Sequence, residues 1–460
     1  MADSSVHFPR RPVPLLSSIL RRPLPSLIAR SMPIIVATLL SRPLGYVRVA
    51  IQAWLFGATA AMDAFVVAFS VPSILQVVLL SGPLSGILVP ILTAYREERH
   101  SLNALFNSIV TVVILVSFGI GGVAMLIAPT LMHLAGPGLA PDIQTLATLL
   151  FRLMVPMLIL QALLSVCKGT LNALGHYGAP EYAGVVFNVV IIAVALLCSS
   201  TMGVVSLAIG ASLGSLAQFG MQLPFLAKYG LRFRPRLRVD IDGHQLTVLA
   251  TGAFLSTIIV PLTTLIDRAF ASLLFPGAVA ALNYAFLLFL LPASLCVVPL
   301  STVLLTDLAN LYHQRNFISL RRQAQSALWL VLLLTVPITV LGVFFAEPLT
   351  RLVYEYGRFQ AADTVRTAQA VQAYLIGLPF YAGVHLLSRN FYAIQDTMTP
   401  AWVGLGGFVL NVVGDWVLMR LFSHWGIALA RTLTLLVTAI VLYVLFQHQC
   451  TEIIRSQEGS

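Results

Sequence analysis

The chain is 460 residues long, 58% hydrophobic and only 10% charged, with a formal net charge of +10. Soluble domains carry about 25% charged residues, so the composition excludes a soluble enzyme and reads as a polytopic membrane protein. In such a protein surplus Lys and Arg mark cytoplasmic loops, and no nucleic-acid partner is expected.

Residues 1–31 hold Arg10, Arg11, Arg21, Arg22 and Arg30 among several prolines. The apolar run that follows lacks a small-residue cleavage site, so the segment reads as an uncleaved basic cytoplasmic tail. Apolar runs long enough to cross about 30 Å of hydrocarbon predict twelve helices. They fall near 32–56, 62–94, 104–131, 145–170, 181–200, 203–227, 245–272, 278–306, 324–347, 367–393, 401–421 and 424–447. Pro72, Pro83, Pro90 and Pro292 are expected to kink or break the second and eighth, as is tolerated where a helix faces a cavity or a neighbour. Alternate loops are rich in Lys and Arg, which places both termini in the cytoplasm. The basic run KYGLRFRPRLR, Lys228 to Arg238, lies between the sixth and seventh helices. The expected division is therefore a first lobe at 32–227, a basic cytoplasmic linker at 228–244, a second lobe at 245–447 and a cytoplasmic tail at 448–460.

The two lobes echo each other. Arg48 to Leu75 lies on Arg268 to Leu295 without a gap, matching Arg48 with Arg268, Gly57 with Gly277, Phe69 with Phe289 and Pro72 with Pro292. Ala173 and Pro180 are spaced like Ala393 and Pro400. The fold class expected is an all-α membrane protein of two homologous six-helix lobes. Such repeats place a substrate site between the halves.

Polar residues inside apolar helices are the functional candidates. Ser41, Arg48 and Gln52 share one helical face, which reads as the lining of a polar cavity. Arg42 either joins that lining or meets a buried carbonyl. Asp63, Gln76, Arg152, Asn283 and Arg420 are further intramembrane polar residues. The adjacent Asp267 and Arg268 read as a gate or an interfacial anchor. Asn411 and Asp415 share a face at i, i+4, and a buried carboxylate needs a partner; Arg431 is the expected one. The four cysteines are scattered and the histidines sit mainly at helix ends, so no metal site is expected. No P-loop, HExxH or GxSxG motif occurs, which points away from an enzyme and towards transport driven by membrane potential or an ion gradient, with no cofactor.

The segments SRPLGYVR, LFGATAAMDAFVVAFSVPSIL and GPLSGILVPILTAYR resemble the opening of the MurJ/MviN family of lipid II flippases. That family lies within the multidrug/oligosaccharidyl-lipid/polysaccharide exporters. DRAFASLLFPGAVAALNYAF and the Ala393–Pro400–Asn411 segment resemble its second lobe. The resemblance implies a V-shaped pair of lobes around a central cavity and a role in cell-wall biosynthesis at the inner membrane. It implies an undecaprenyl-diphosphate-linked substrate carried from the cytoplasmic to the periplasmic leaflet, with membrane lipids and cell-wall synthesis proteins as partners. It places Arg42, Arg48 and Asp63 at family positions, the arginines facing the diphosphate. The chain departs from the family at Gln76 and Leu287, where arginine is common, and at Arg431, where a threonine helps some members hold sodium. The family usually has fourteen helices, against the twelve counted here. The alternatives are a flippase for another polyprenyl-linked oligosaccharide, a drug/cation antiporter, or a non-transporting scaffold.

Overall fold

A computed structural model describes residues 24–76, 92–93, 99–236 and 243–458. The described residues are helical throughout, joined by short turns. In chain order the helices are α1 (Leu24–Phe56), α2 (Ala60–Gln76), α3 (Arg99–Leu126), α4 (Ala128–Ala135), α5 (Pro141–Ala173), α6 (Gly178–Met202) and α7 (Val205–Lys228). There follow α8 (Gly243–Ser272), α9 (Ala278–Pro292), a π turn (Ala293–Val297), α10 (Val298–His313) and α11 (Phe317–Phe344). The last are α12 (Ala346–Tyr354), α13 (Ala361–Ile376), α14 (Leu378–Ala393) and α15 (Met398–Glu458).

Among the described residues helix is found in each of the twelve predicted segments, the second being described only to Gln76 and at residues 92 and 93, with differences that have local causes. The third and ninth expected helices end early, and the short α4 and α12 follow them. The tenth is broken at Gly377 into α13 and α14, bent by 43°, with Pro379 in the first turn of α14. The eighth is interrupted after Pro292 by the π turn, because proline supplies no N–H to the ladder. α15 contains the last two expected helices, separated at Ser423 (φ 55°, ψ −137°). It stays helical through Glu458, so most of the expected tail at 448–460 continues the last helix. Pro83 and Pro90 lie outside the described residues. By length and apolarity six described helices can cross a membrane, or seven if α13 and α14 make one span; twelve spans remain a sequence expectation.

The packing follows from small residues and apolar faces. α5 is the most enclosed span, with 56% of its apolar window buried, and it packs against α2, α3 and α7. α6 and α7 approach closely because α7 carries Gly210 and Gly214. A Cβ on Gly214 would sit 2.9 Å from the Phe187 ring, and one on Gly210 would sit 3.3 Å from the backbone of Ile191. Small residues four apart are the usual way helices come together in lipid. In the second half α15 packs on α14, α8 and α13. Large apolar side chains such as Leu197, Trp329 and Phe344 point outward, where hydrocarbon is the expected solvent. From the basic stretch after α7, the backbone N–H of Arg234 donates to Asn107 Oδ1 and that of Arg236 to Thr111 Oγ1, at 2.8 and 3.0 Å. The described start of the linker thus runs along α3.

The backbone carries the internal repeat further than the side chains do. Gly57 and Gly277, Gly175 and Gln395, and Gly203 and Ser423 all have positive φ, each pair 220 residues apart. Gly203 (φ 54°, ψ −138°) and Ser423 (φ 55°, ψ −137°) share nearly one conformation. That is the spacing that sets Arg48 on Arg268.

Candidate functional site

The halves meet where α2 faces α8 and α9. At the turn before α9, Gly277 has a left-handed φ of 94°, and a Cβ there would lie 2.0 Å from the Ala58 carbonyl oxygen. Only glycine fits both demands. Asp63 closes the junction: Oδ2 accepts from the N–H of Gly277 at 2.5 Å and Oδ1 from that of Ala280 at 2.7 Å. A carboxylate from one half thus caps a helix of the other, at the helix end that favours negative charge. The Tyr284 hydroxyl donates to Gly57 O at 3.0 Å, and the N–H of Arg358 donates to Trp54 O at 2.9 Å. Asp63 therefore does not line the cavity: both its oxygens are spent on this cap.

Beside the junction lies a cavity of about 350 Å³. Arg48 and Gln52 line it from α1, Ser70 and Ser73 from α2, Thr264 and Arg268 from α8, and Asn283 and Leu287 from α9. Arg268 donates to Ser70 Oγ across the halves and to Asn283 Oδ1 at 2.9 Å. The Arg48 guanidinium stands 5.8 Å from the Phe187 ring centroid, and its buried Nε has no partner. Among the described residues neither arginine makes an ion pair. Two guanidiniums without ion-pair partners in one largely apolar cavity attract an anion. Their planar forks suit phosphate oxygens in pairs.

Arg42 takes the other place considered for it. It is exposed, and its Nη1 donates to Ser294 O at 3.2 Å, in the π turn where the regular ladder is disturbed. Arg42 therefore joins α1 to the second half rather than the cavity. The side chain of Gln76 is outside the described set.

The expected Asp415–Arg431 ion pair is not formed. Arg431 Nη1 instead meets Asp267 Oδ2 at 2.6 Å, and its guanidinium lies 5.0 Å from the Phe286 ring centroid. Asn411 Nδ2 donates to Asp267 Oδ1 at 2.7 Å and to Asp415 Oδ2 at 2.9 Å. Asp267 is thus buried as the centre of this cluster and is no interfacial anchor. It comes from α8, a third helix that i, i+4 spacing within α15 could not reveal. The cluster does not fit a sodium ion well, because Arg431 already supplies its positive charge. Among the described residues no three His, Cys, Asp or Glu groups converge as a metal site.

The cavity residues missed from sequence were Ser70, Ser73 and Thr264, which look like ordinary helix residues. Arg268 lines the cavity and is neither a gate nor an interfacial anchor, the place that its match to Arg48 in the repeat points to.

Residues 52–457 match the family described as lipid II flippase MurJ. Lipid II flippase MurJ of Burkholderia cenocepacia is 30% identical over 422 residues, spanning 88% of this chain and 81% of that protein. The probable lipid II flippase MurJ of Buchnera aphidicola subsp. Acyrthosiphon pisum is 29% identical over 429 residues, spanning 91% and 84%. A solved lipid II flippase MurJ in an inward closed conformation shares the fold, with a TM-score of 0.81 at 24% identity over 92% of this chain and 90% of that one. An inward-facing multidrug resistance MATE family transporter of the MOP superfamily shares it at a TM-score of 0.72 and 14% identity, over 92% and 99%. Matched in sequence from the end of α1 almost to the end of α15, the chain belongs to the lipid II flippase MurJ family.

Proposed function

We propose that the protein moves lipid II, the undecaprenyl-diphosphate-linked peptidoglycan precursor, from the cytoplasmic to the periplasmic leaflet of the bacterial inner membrane. The observation that carries this is the convergence of Arg48 and Arg268, without carboxylate partners, on one cavity between the halves. They bind the diphosphate, and Gln52 and Asn283 offer polar groups to the sugar. Leu287 leaves one wall apolar where an arginine is common in the family, and Arg268 compensates for it with a cation from α8.

The two lobes, 32–227 and 245–447, rock about the junction at Asp63 and Gly277 to expose the cavity to each side in turn. Both termini are cytoplasmic, a reading that the excess of Lys and Arg in alternate loops supports. The protein is a transporter and not an enzyme, uses no cofactor, and draws on membrane potential or an ion gradient. Cell-wall synthesis proteins supply and consume its cargo.

The test is complementation. A bacterial host is depleted of its own lipid II flippase, and wild type, Arg48→Ala and Arg268→Ala are expressed at equal membrane levels. Wild type should sustain growth and wall synthesis, and both variants should fail, since losing a charged contact to a buried anion costs about 2–5 kcal/mol. Failure of well-inserted wild type would overturn lipid II as the cargo.

A further inference from the structure

A small space lies between the arginine cavity and the Asp267–Arg431 pair. It measures about 20 Å³ and is lined by Thr264, Asp267, Arg268, Asn283, Tyr374 and Arg431, with two apolar side chains. Thr264, Arg268 and Asn283 also line the arginine cavity, whereas Asp267, Tyr374 and Arg431 do not. Asp267 and Arg268 are neighbours on α8, and successive helix positions are turned about 100° apart. The same turn of α8 therefore supplies both polar centres, with this space between them. Tyr374, from α13, is the member whose place there has no other account. It is 5% exposed, its ring packs on Phe286 and Phe289, and it faces Asp267, Arg431, Asp415 and Arg268 at once. Among the described residues its hydroxyl makes no hydrogen bond, whereas the buried hydroxyls of Tyr284 and Tyr354 donate to Gly57 O and Tyr284 O. A buried tyrosine hydroxyl ordinarily has a partner.

We propose that this space holds one ordered water, through which Tyr374, Asp267 and Arg431 position Arg268 for the diphosphate, a reading that rests on the function proposed above. One water needs about 10–15 Å³ and two to four polar partners, and both conditions are met. The lining selects a neutral molecule. Two guanidiniums against one carboxylate repel a cation, and the space is too small for a phosphate. Water donates to the Asp267 carboxylate and accepts from the guanidiniums and the Tyr374 hydroxyl, and such a bridge is nearly as good as a direct hydrogen bond. Its use follows from what else holds Arg268, which donates to Ser70 Oγ and Asn283 Oδ1. The Ser70 bond crosses the halves and cannot survive their parting. Asn283 and the water stay with the second half and keep the guanidinium aimed into the cavity. Tyr374, Asp267 and Arg431 are then positioning residues that never touch the substrate.

The experiment uses the full chain in nanodiscs and has two readouts. The first is a density map at a resolution that shows ordered water. It should place one water within hydrogen-bonding distance of Asp267 and Arg268; a dry space, or one closed by side chains, would overturn the proposal. The second is lipid II binding by wild type, Tyr374→Phe and Tyr381→Phe, with unfolding midpoints measured beside it. Tyr374→Phe removes only a hydroxyl, at a residue that lines the small space and not the cavity. It should weaken lipid II about threefold to tenfold, the worth of one buried hydrogen bond, with the midpoint unchanged. Tyr381, on α14, packs its ring on Phe289 and lines neither space, so Tyr381→Phe should change nothing. Unaltered affinity in Tyr374→Phe would overturn the proposal. The same loss in Tyr381→Phe would also overturn it, as would wild-type binding that depends on sodium or chloride at fixed ionic strength. Those outcomes leave the function standing, whereas wild type that binds no lipid II overturns the function and the positioning role together.

Discussion

Replacing Asp63 by alanine removes a carboxylate that holds the first turn of α9 from the opposite half. Its two bonds, 2.5 Å to the N–H of Gly277 and 2.7 Å to that of Ala280, are charge-assisted and buried, with Asp63 only 2% exposed. Hydrogen bonds to charged groups contribute about 1.5–3 kcal/mol each, and charge at a helix terminus adds about 0.3–1 kcal/mol. Alanine offers no acceptor, so the N–H groups of Gly277 and Ala280 would both lose the partner they have here. The loss should be about 3–6 kcal/mol for Asp63→Ala. Asp63→Asn keeps one acceptor oxygen, gives up the charge and should lose about half as much. Thermal unfolding of the purified protein in one detergent reads the order: wild type, then Asp63→Asn, then Asp63→Ala, with the last lower by several degrees. An Asp63→Ala midpoint equal to wild type would refute the capping argument and return Asp63 to the pool of substrate contacts.

Four further outcomes follow from the geometry. Ser423→Gly should raise the unfolding midpoint, since Ser423 holds a backbone conformation (φ 55°, ψ −137°) that costs a non-glycine residue about 1–3 kcal/mol; a lower midpoint would show that no strain is stored there. Gly277→Ala should be strongly destabilising, because its Cβ would lie 2.0 Å from the Ala58 oxygen, and wild-type stability in that variant would contradict the close junction. Arg431→Gln leaves Asp267 buried without its cation and should cost about 3–5 kcal/mol, whereas Arg431→Gln with Asp267→Asn should be milder; equal damage from the single and double changes would argue against the pair. Asp396 lies in the turn before α15. Burial alone would raise its pKa, but bonds from the Thr399 hydroxyl and N–H and from the N–H of Met398 outweigh this and hold it below the usual value. Its contribution is present above the unfolded carboxylate pKa of about 3.9 and is lost as pH falls through the lower folded value. Acid unfolding profiles should therefore show Asp396→Asn less sensitive than wild type below about pH 4, and identical acid limbs would refute it.

Much of the helical layout was legible in the sequence because apolar length acts locally. Among the described residues helix is found in the predicted segments, and the match of Gly57 with Gly277 shows again in their shared positive φ. The pairs Gly175/Gln395 and Gly203/Ser423 stayed hidden because a side chain replaced the glycine while the turn was kept. The breaks at Ile127 and Phe345 were unreadable for a different reason: hydropathy runs on through residues whose backbone turns. The polar clusters were half legible. Spacing put Asn411 and Asp415 on one face, yet the identity of Arg431's partner depends on how α8 packs against α15, which no periodicity within one helix encodes. Asp63 shows the same limit, since a carboxylate in an apolar helix looks alike whether it faces a substrate or caps a distant helix.

The most direct test of the central claim is translocation itself. Lipid II is followed to the outer leaflet of cells depleted of their native flippase, by its accessibility to an impermeant reagent. Wild type is compared with Arg48→Ala and Arg268→Ala at matched membrane levels. The account predicts that wild type exposes lipid II and that each variant, still folded and inserted, does not. Translocation undiminished in both arginine variants would contradict the cationic cavity between the halves as the place where the diphosphate is held.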